Sequence, residues 1–192
     1  MGKTLVLVRH GKPERGGTGQ PDADRSLTPE GQAALAAPDG FPRIFANLSQ
    51  TERAAAELWV SPALRARQTA DEVERALASL DTPDTSSVSN ETAASTQPCA
   101  PSAAQALPRS KHESLWEQDI DGFLEELAAS SAECVIAVGH IPFMNVTLEL
   151  LTGENPGFTP GSVAAVALPD NFDPARPDRS GHLIWFERGP RA

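Results

Sequence analysis

Three short, almost uninterrupted apolar runs, Leu5-Val6-Leu7-Val8, Leu58-Trp59-Val60 and Cys134-Val135-Ile136-Ala137-Val138, constrain this chain more than any other feature. None alternates apolar with polar residues. Each therefore predicts a strand buried on both faces, as in a parallel sheet. Helical patterns separate them. Thr28-Pro29-Glu30-Gly31 offers an N-cap residue followed by proline, so a helix starts at Thr28 and stops before Pro38. Gly40 to Ala56 reads as one further helix. Another begins at Pro62 and carries Leu64, Val73 and Leu77 on its apolar face, and Leu115 to Leu127 reads as one amphipathic helix. Pro142 to Leu151 is a last helix, and Val163 to Leu168 and Leu183 to Phe186 are late strands. Strands alternating with helices predict a three-layer α/β/α sandwich around a mostly parallel sheet.

The length of 192 residues fits one domain, 1-192. Between about residues 81 and 110 the chain is rich in Ser, Thr, Ala and Pro, with almost no large apolar side chain, and reads as a surface insertion. The opening apolar run is too short for a signal-peptide core or a membrane span, which predicts a soluble cytoplasmic protein. The net charge of −10 opposes non-specific binding to nucleic acid, so a phosphorylated ligand needs a local cationic pocket. Cys99 and Cys134 could form one bridge at most and read as reduced thiols.

The strand ends carry the chemistry. Arg9 and His10 follow the first run, Arg65 lies just beyond the second, and His140 follows the third. In a parallel sheet these ends share one edge, where ligands of open α/β sheets bind. Guanidinium groups meet phosphoryl oxygens with paired, charge-assisted hydrogen bonds, and a neutral imidazole is a nucleophile near pH 7.

Leu7-Val8-Arg9-His10-Gly11 resembles the signature of the histidine phosphatase, or phosphoglycerate mutase-like, superfamily. Ser26-Leu27-Thr28-Pro29-Glu30-Gly31 resembles its Leu-Thr-x-x-Gly segment. Val60 to Thr69 resembles its Ser-Pro-x-x-Arg-x-x-Gln-Thr segment, and Val138-Gly139-His140 its second-histidine segment. Gly139-His140-Ile141-Pro142 and Phe158-Thr159-Pro160-Gly161-Ser162 are similar to the small bacterial phosphohistidine phosphatases of the signal-inhibiting type. The resemblance implies a phosphoglycerate mutase-like fold, with His10 as nucleophile forming a phosphohistidine and Arg9, Arg65 and His140 holding the phosphoryl group. It implies hydrolysis of a phosphomonoester or a protein phosphohistidine, with no metal or cofactor. A mutase-type phosphotransferase and an inactive phosphoryl-binding module are the alternatives.

Gly16 stands where larger members carry an Asn, so one phosphate contact is missing or supplied elsewhere. The family's general acid is sought among Glu113, Glu117 and Asp119, with Glu113 first because it precedes the acidic helix. A phosphohistidine substrate, with its good nitrogen leaving group, needs less help from an acid. The residue six positions after each cysteine, Gln105 or His140, is not the Arg that a cysteine phosphatase requires. The four histidines have no metal-ligand spacing. Nothing in the spacing of Trp59, Trp116 and Trp185 decides between core and interface, and oligomeric state and physiological substrate stay open.

Overall fold

The computed structural model describes residues 2–81 and 107–191. Most of the Ser/Thr/Ala/Pro-rich stretch, including Cys99, lies outside the described residues. Six strands form one sheet in the order β3-β2-β4-β1-β5-β6. These are β1 (Lys3–Arg9), β2 (Ala56–Val60), β3 (Arg109–Lys111), β4 (Cys134–Gly139), β5 (Val163–Leu168) and β6 (His182–Glu187). The first four run parallel, while β5 and β6 are antiparallel to their neighbours.

The three apolar runs are the adjacent strands β1, β4 and β2, and their side chains divide between two cores. Val6, Val8, Leu58, Ile136 and Val138 pack on one face with Leu35, Phe41, Phe45 and Val73. Leu5, Leu7, Trp59, Val135 and Ala137 pack on the other with Leu115, Phe123, Phe143 and Leu148. Burial on both faces is why these strands read as unbroken apolar stretches. The first face is covered by α1 (Pro29–Ala36), α2 (Phe41–Phe45) and α4 (Leu64–Asp81), while α3 (Gln50–Ala54) buries no residue. The second is covered by α5 (Ser114–Glu117), α6 (Ile120–Ala129) and α7 (Phe143–Thr152).

Several boundaries differ from expectation for local reasons. The segment from Gly40 to Ala56 is two short helices plus the first residue of β2. The break comes at Ser49, whose side chain accepts from the Glu52 amide while Glu52 reaches back to the Ser49 amide, which starts α3 afresh. Leu115 to Leu127 is likewise two helices. Gln118 ends α5 in the left-handed region at φ 61°, and Asp119 then caps α6 by accepting from the Gly122 amide. The helix expected from Pro62 begins at Leu64, and Asp81 belongs to its last turn. Arg109 and Ser110, read as part of the insertion, belong to edge strand β3.

Candidate active site

Sheet register brings the strand ends to one level. Arg9 pairs with Gly139 and Val60 with Val138, and the His10 amide donates to the Gly139 carbonyl. Arg9, His10, Ser61 and His140 therefore emerge side by side. Gly161 closes the turn from behind at φ +76°, a conformation that favours glycine, and its N–H faces the Arg9 and His10 carbonyls at 3.2 and 3.1 Å. Gly11 lets α1 approach, since a Cβ there would stand 2.8 Å from Leu35 Cδ1.

Residues that match motif positions turn out to be struts. Thr69 Oγ1 accepts from the Gly11 amide at 3.1 Å and donates to the Arg65 carbonyl at 2.7 Å. Gln68 Oε1 accepts from the Leu27 amide at 2.7 Å, and Thr28 caps α1 by accepting from the Gly31 amide. The first turns of α4 and α1 are thus fastened to the loop after β1.

At the centre, His10, His140 and Arg65 are 6%, 5% and 6% exposed, and the two imidazole centroids lie 5.1 Å apart. The His10 Nδ1 sits 2.7 Å from the Gly11 carbonyl, an acceptor, so the proton is on Nδ1 and Nε2 carries the lone pair. That Nε2 lies 3.4 Å from the Nε of Arg65. Burial pushes the His10 pKa down to about 4, and the cations Arg65, Arg9 and Arg25 add to the shift against the Gly11 hydrogen bond. Burial together with His10 takes His140 down to about 3. Both rings are neutral at physiological pH. His140 Nε2 is 2.8 Å from the Ser61 hydroxyl, whereas among the described residues its buried Nδ1 has no partner, and neither has the buried Arg9 Nε. With Ser61 donating to Nε2, the Nδ1–H of His140 is an unused donor. Arg9 itself is held by Nη1 donating to the Phe158 carbonyl at 2.6 Å.

Asp22, Arg25, Ser61 and Trp116 complete the cluster; Ser61 stood in the sequence as the Ser of the Ser-Pro-x-x-Arg match and Trp116 as a residue of either core or interface, neither with a role at the site, and Asp22 and Arg25 were not singled out. Arg65 donates from Nη1 to the Asp22 carbonyl at 2.6 Å and from Nη2 to the Asp22 carboxylate at 2.7 Å. Arg25 holds the other carboxylate oxygen at 2.8 Å, and its hydrogen bond, with that of Arg65, holds the Asp22 pKa below the usual range. Trp116 forms one wall, with the Arg65 guanidinium 5.7 Å from the ring centroid and the edge-on His140 ring 5.5 Å away. Cation and aromatic face attract at that distance. For Ser61 the Ser-Pro motif was a signal, whereas Asp22 and Arg25, shortly before Ser26-Leu27-Thr28, follow no spacing rule.

The three candidate acids sit elsewhere. Glu113 is exposed and ion-paired with Lys111 at 2.6 Å, Asp119 caps α6, and Glu117 is exposed. No hydrogen bond joins any of them to Arg9, His10, Arg65 or His140. Trp59 is buried in β2 and Trp185 is half-buried against the core. Burial raises the Cys134 thiol to about 12, which keeps it protonated and unreactive. Among the described residues, no helix is long and apolar enough to cross a membrane.

No curated protein matches the chain. Among solved structures, a protein assigned as the phosphohistidine phosphatase SixA of Agrobacterium tumefaciens is similar at 21% identity and a TM-score of 0.65, covering 96% of this chain and 97% of that one. The protein histidine phosphatase SixA solved with tungstate is similar at 21% identity and a TM-score of 0.62, covering 96% of each chain. A mycobacterial glucosyl-3-phosphoglycerate phosphatase follows at 13% identity and a TM-score of 0.59, covering 96% of this chain and 98% of that one. At such identities the likeness establishes the fold. The model of the histidine phosphatase superfamily, branch 1, matches residues 5–162, a span containing every residue of the buried cluster, and the chain belongs to that superfamily.

Proposed function

We propose that the protein is a phosphatase in which His10 Nε2 attacks phosphorus and carries the phosphoryl group as a phosphohistidine. The observation that carries this reading is the His10 ring itself. It is neutral, buried, fixed in one tautomer by the Gly11 carbonyl, and its lone-pair nitrogen Nε2 accepts a long hydrogen bond from Arg65 Nε. Attack forms the N–P bond as the bond to the leaving group breaks. Arg9, Arg65 and the His140 Nδ1–H then meet the non-bridging oxygens as charge redistributes. Water attacks the phosphohistidine next, phosphate departs and the His10 lone pair is restored.

Glu113, Glu117 and Asp119 make no hydrogen bond to the cluster, and the Asp22 carboxylate there is held ionised by Arg25 and Arg65, which makes it a poor proton donor, so the leaving group must depart with little proton assistance. That favours a protein phosphohistidine, whose imidazole leaves readily, over an alkyl phosphate. The SixA proteins, with their similar fold, are described as acting on the same linkage.

The test is to incubate the protein with a phosphohistidine peptide and with p-nitrophenyl phosphate, quenching in alkali, where phosphohistidine survives. Phosphate should be trapped on His10 and lost with His10→Ala. Arg65→Ala should lower kcat about a hundred- to thousandfold with folding intact. Turnover unaffected by His10→Ala would refute the mechanism.

A further inference from the structure

Outside the phosphoryl pocket, a second group of side chains has the geometry of an activated nucleophile. Ser110 is the exposed middle residue of edge strand β3. His112 follows that strand, its amide donating to the Val60 carbonyl at 3.0 Å, and Glu126 stands on α6. Two positions apart along extended chain, Ser110 and His112 project to the same side. The Ser110 hydroxyl is 2.8 Å from His112 Nε2, and His112 Nδ1 is 2.6 Å from Glu126 Oε2. An ionised carboxylate only accepts, so Nδ1 carries the proton and Nε2 of the neutral ring accepts from Ser110.

The imidazole has little freedom to leave this position. Its face stacks on the Trp59 indole, with centroids 4.0 Å apart and planes within 13°, and Trp59 is itself wedged edge-on against Phe123 of the core. The Glu126 oxygen that holds Nδ1 also accepts from the Ser114 hydroxyl at 3.1 Å. The backbone adds a donor beside Ser110. The Pro108 carbonyl and the His112 amide both bond to β2, so, by the alternation of an extended strand, the Lys111 amide points to the outer side of β3. A purely structural His112 would be satisfied by the Trp59 stack and the Glu126 ion pair, and would need no exposed hydroxyl at Nε2. A hydroxyl, an imidazole and a carboxylate joined in that order, with the base locked in place, are what nucleophilic catalysis by serine requires.

We propose that Ser110, His112 and Glu126 form a second reactive centre, which transfers the acyl group of a carboxylic ester to Ser110. The Ser110 oxygen bonds to the carbonyl carbon as its proton passes to His112 Nε2, and the oxyanion faces the Lys111 amide. The bond to the alcohol then breaks, and the alcohol takes the proton from His112. Water attacks the acyl-serine, gives its proton to His112, and the carboxylic acid departs with Ser110 restored. The centre shares no residue with the His10 cluster, and the proposal does not depend on the reaction there.

The probe is an alkyl fluorophosphonate, which bonds to a reactive serine oxygen as fluoride leaves, incubated with the full chain and located by peptide mass spectrometry. Labelling of Ser110 is expected, and Ser110→Ala should remove it. His112→Gln and Glu126→Gln should each slow it about a hundredfold, the lower end of what a positioned base contributes. Hydrolysis of p-nitrophenyl acetate, measured in the His10→Ala protein so that His10 contributes nothing, should fall by a similar factor on adding Ser110→Ala. Glu126 is 43% exposed, so its substitution keeps the test valid should His112→Gln disturb the packing on Trp59. Absence of label on Ser110, or a labelling rate unchanged in Glu126→Gln, overturns the proposal.

Discussion

Both terminal nitrogens of Arg65 are taken by Asp22, one by its carbonyl and one by its carboxylate. A carboxylate presents two oxygens to a guanidinium much as a phosphoryl group does, so Asp22 occupies the contacts the proposed substrate requires. Its side chain is 53% exposed, and an ion pair that open to solvent is worth less than about 1 kcal/mol. Displacement by substrate is therefore cheap. Asp22→Ala should tighten orthovanadate binding about threefold, measured as its inhibition constant against p-nitrophenyl phosphate, because the competing carboxylate is gone. An unchanged or weaker affinity would mean that Asp22 instead positions Arg65. The other ligand of Asp22, Arg25, adds a cation near His10 where larger family members carry an Asn and this chain has Gly16.

At the scale of elements, short helices depend on their ends. The five residues of α3 are too few to be stable from propensity alone, and the Ser49 capping box satisfies amides that would otherwise be orphaned. Ser49→Ala should cost about 1 kcal/mol, read as a lower urea midpoint with an unchanged m value. A midpoint that does not move would show that packing of α2 and β2, with no help from the cap, holds this corner. The same local devices explain which elements were legible beforehand. α1 announced itself through Thr28 and Pro29, which favour a helix start independently of any partner. β3 gave no signal, because Arg109-Ser110-Lys111 is short, polar and exposed, and exists as a strand only through pairing with β2. The break at Gln118 was hidden because the apolar positions of α5 and α6 fall on one continuous helical pattern.

For the molecule as a whole, burying two neutral histidines links folding to pH. Their pKa values fall from an ordinary 6.5 to about 4 for His10 and about 3 for His140. Between the two limits the unfolded chain binds more protons than the folded one, so stability rises with pH. The contribution is fully present above 6.5 and is lost as pH falls toward 4 and 3. Thermal midpoints should thus drop across that interval, and His10→Asn/His140→Asn should flatten the decline. A double variant with an unaltered pH profile would place the acid sensitivity elsewhere.

What the amino-acid sequence determined by itself was local or periodic: three strands apolar on both faces, the capped start of α1, and Arg9, His10, Arg65 and His140 at strand ends within recognisable motifs. The tertiary structure alone decided the antiparallel pairing of β5 with β1 and of β6 with β5, the pairing of Ser61 with His140, the seating of Asp22 on Arg65, and Trp116 as a wall of the pocket. It also turned Glu113 toward Lys111 and used Asp119 as a helix cap, away from the cluster. The physical reason is range. Burial and capping are written in neighbouring residues, whereas the partner of a charged or aromatic side chain is chosen by which distant segments the sheet register brings within a few ångströms.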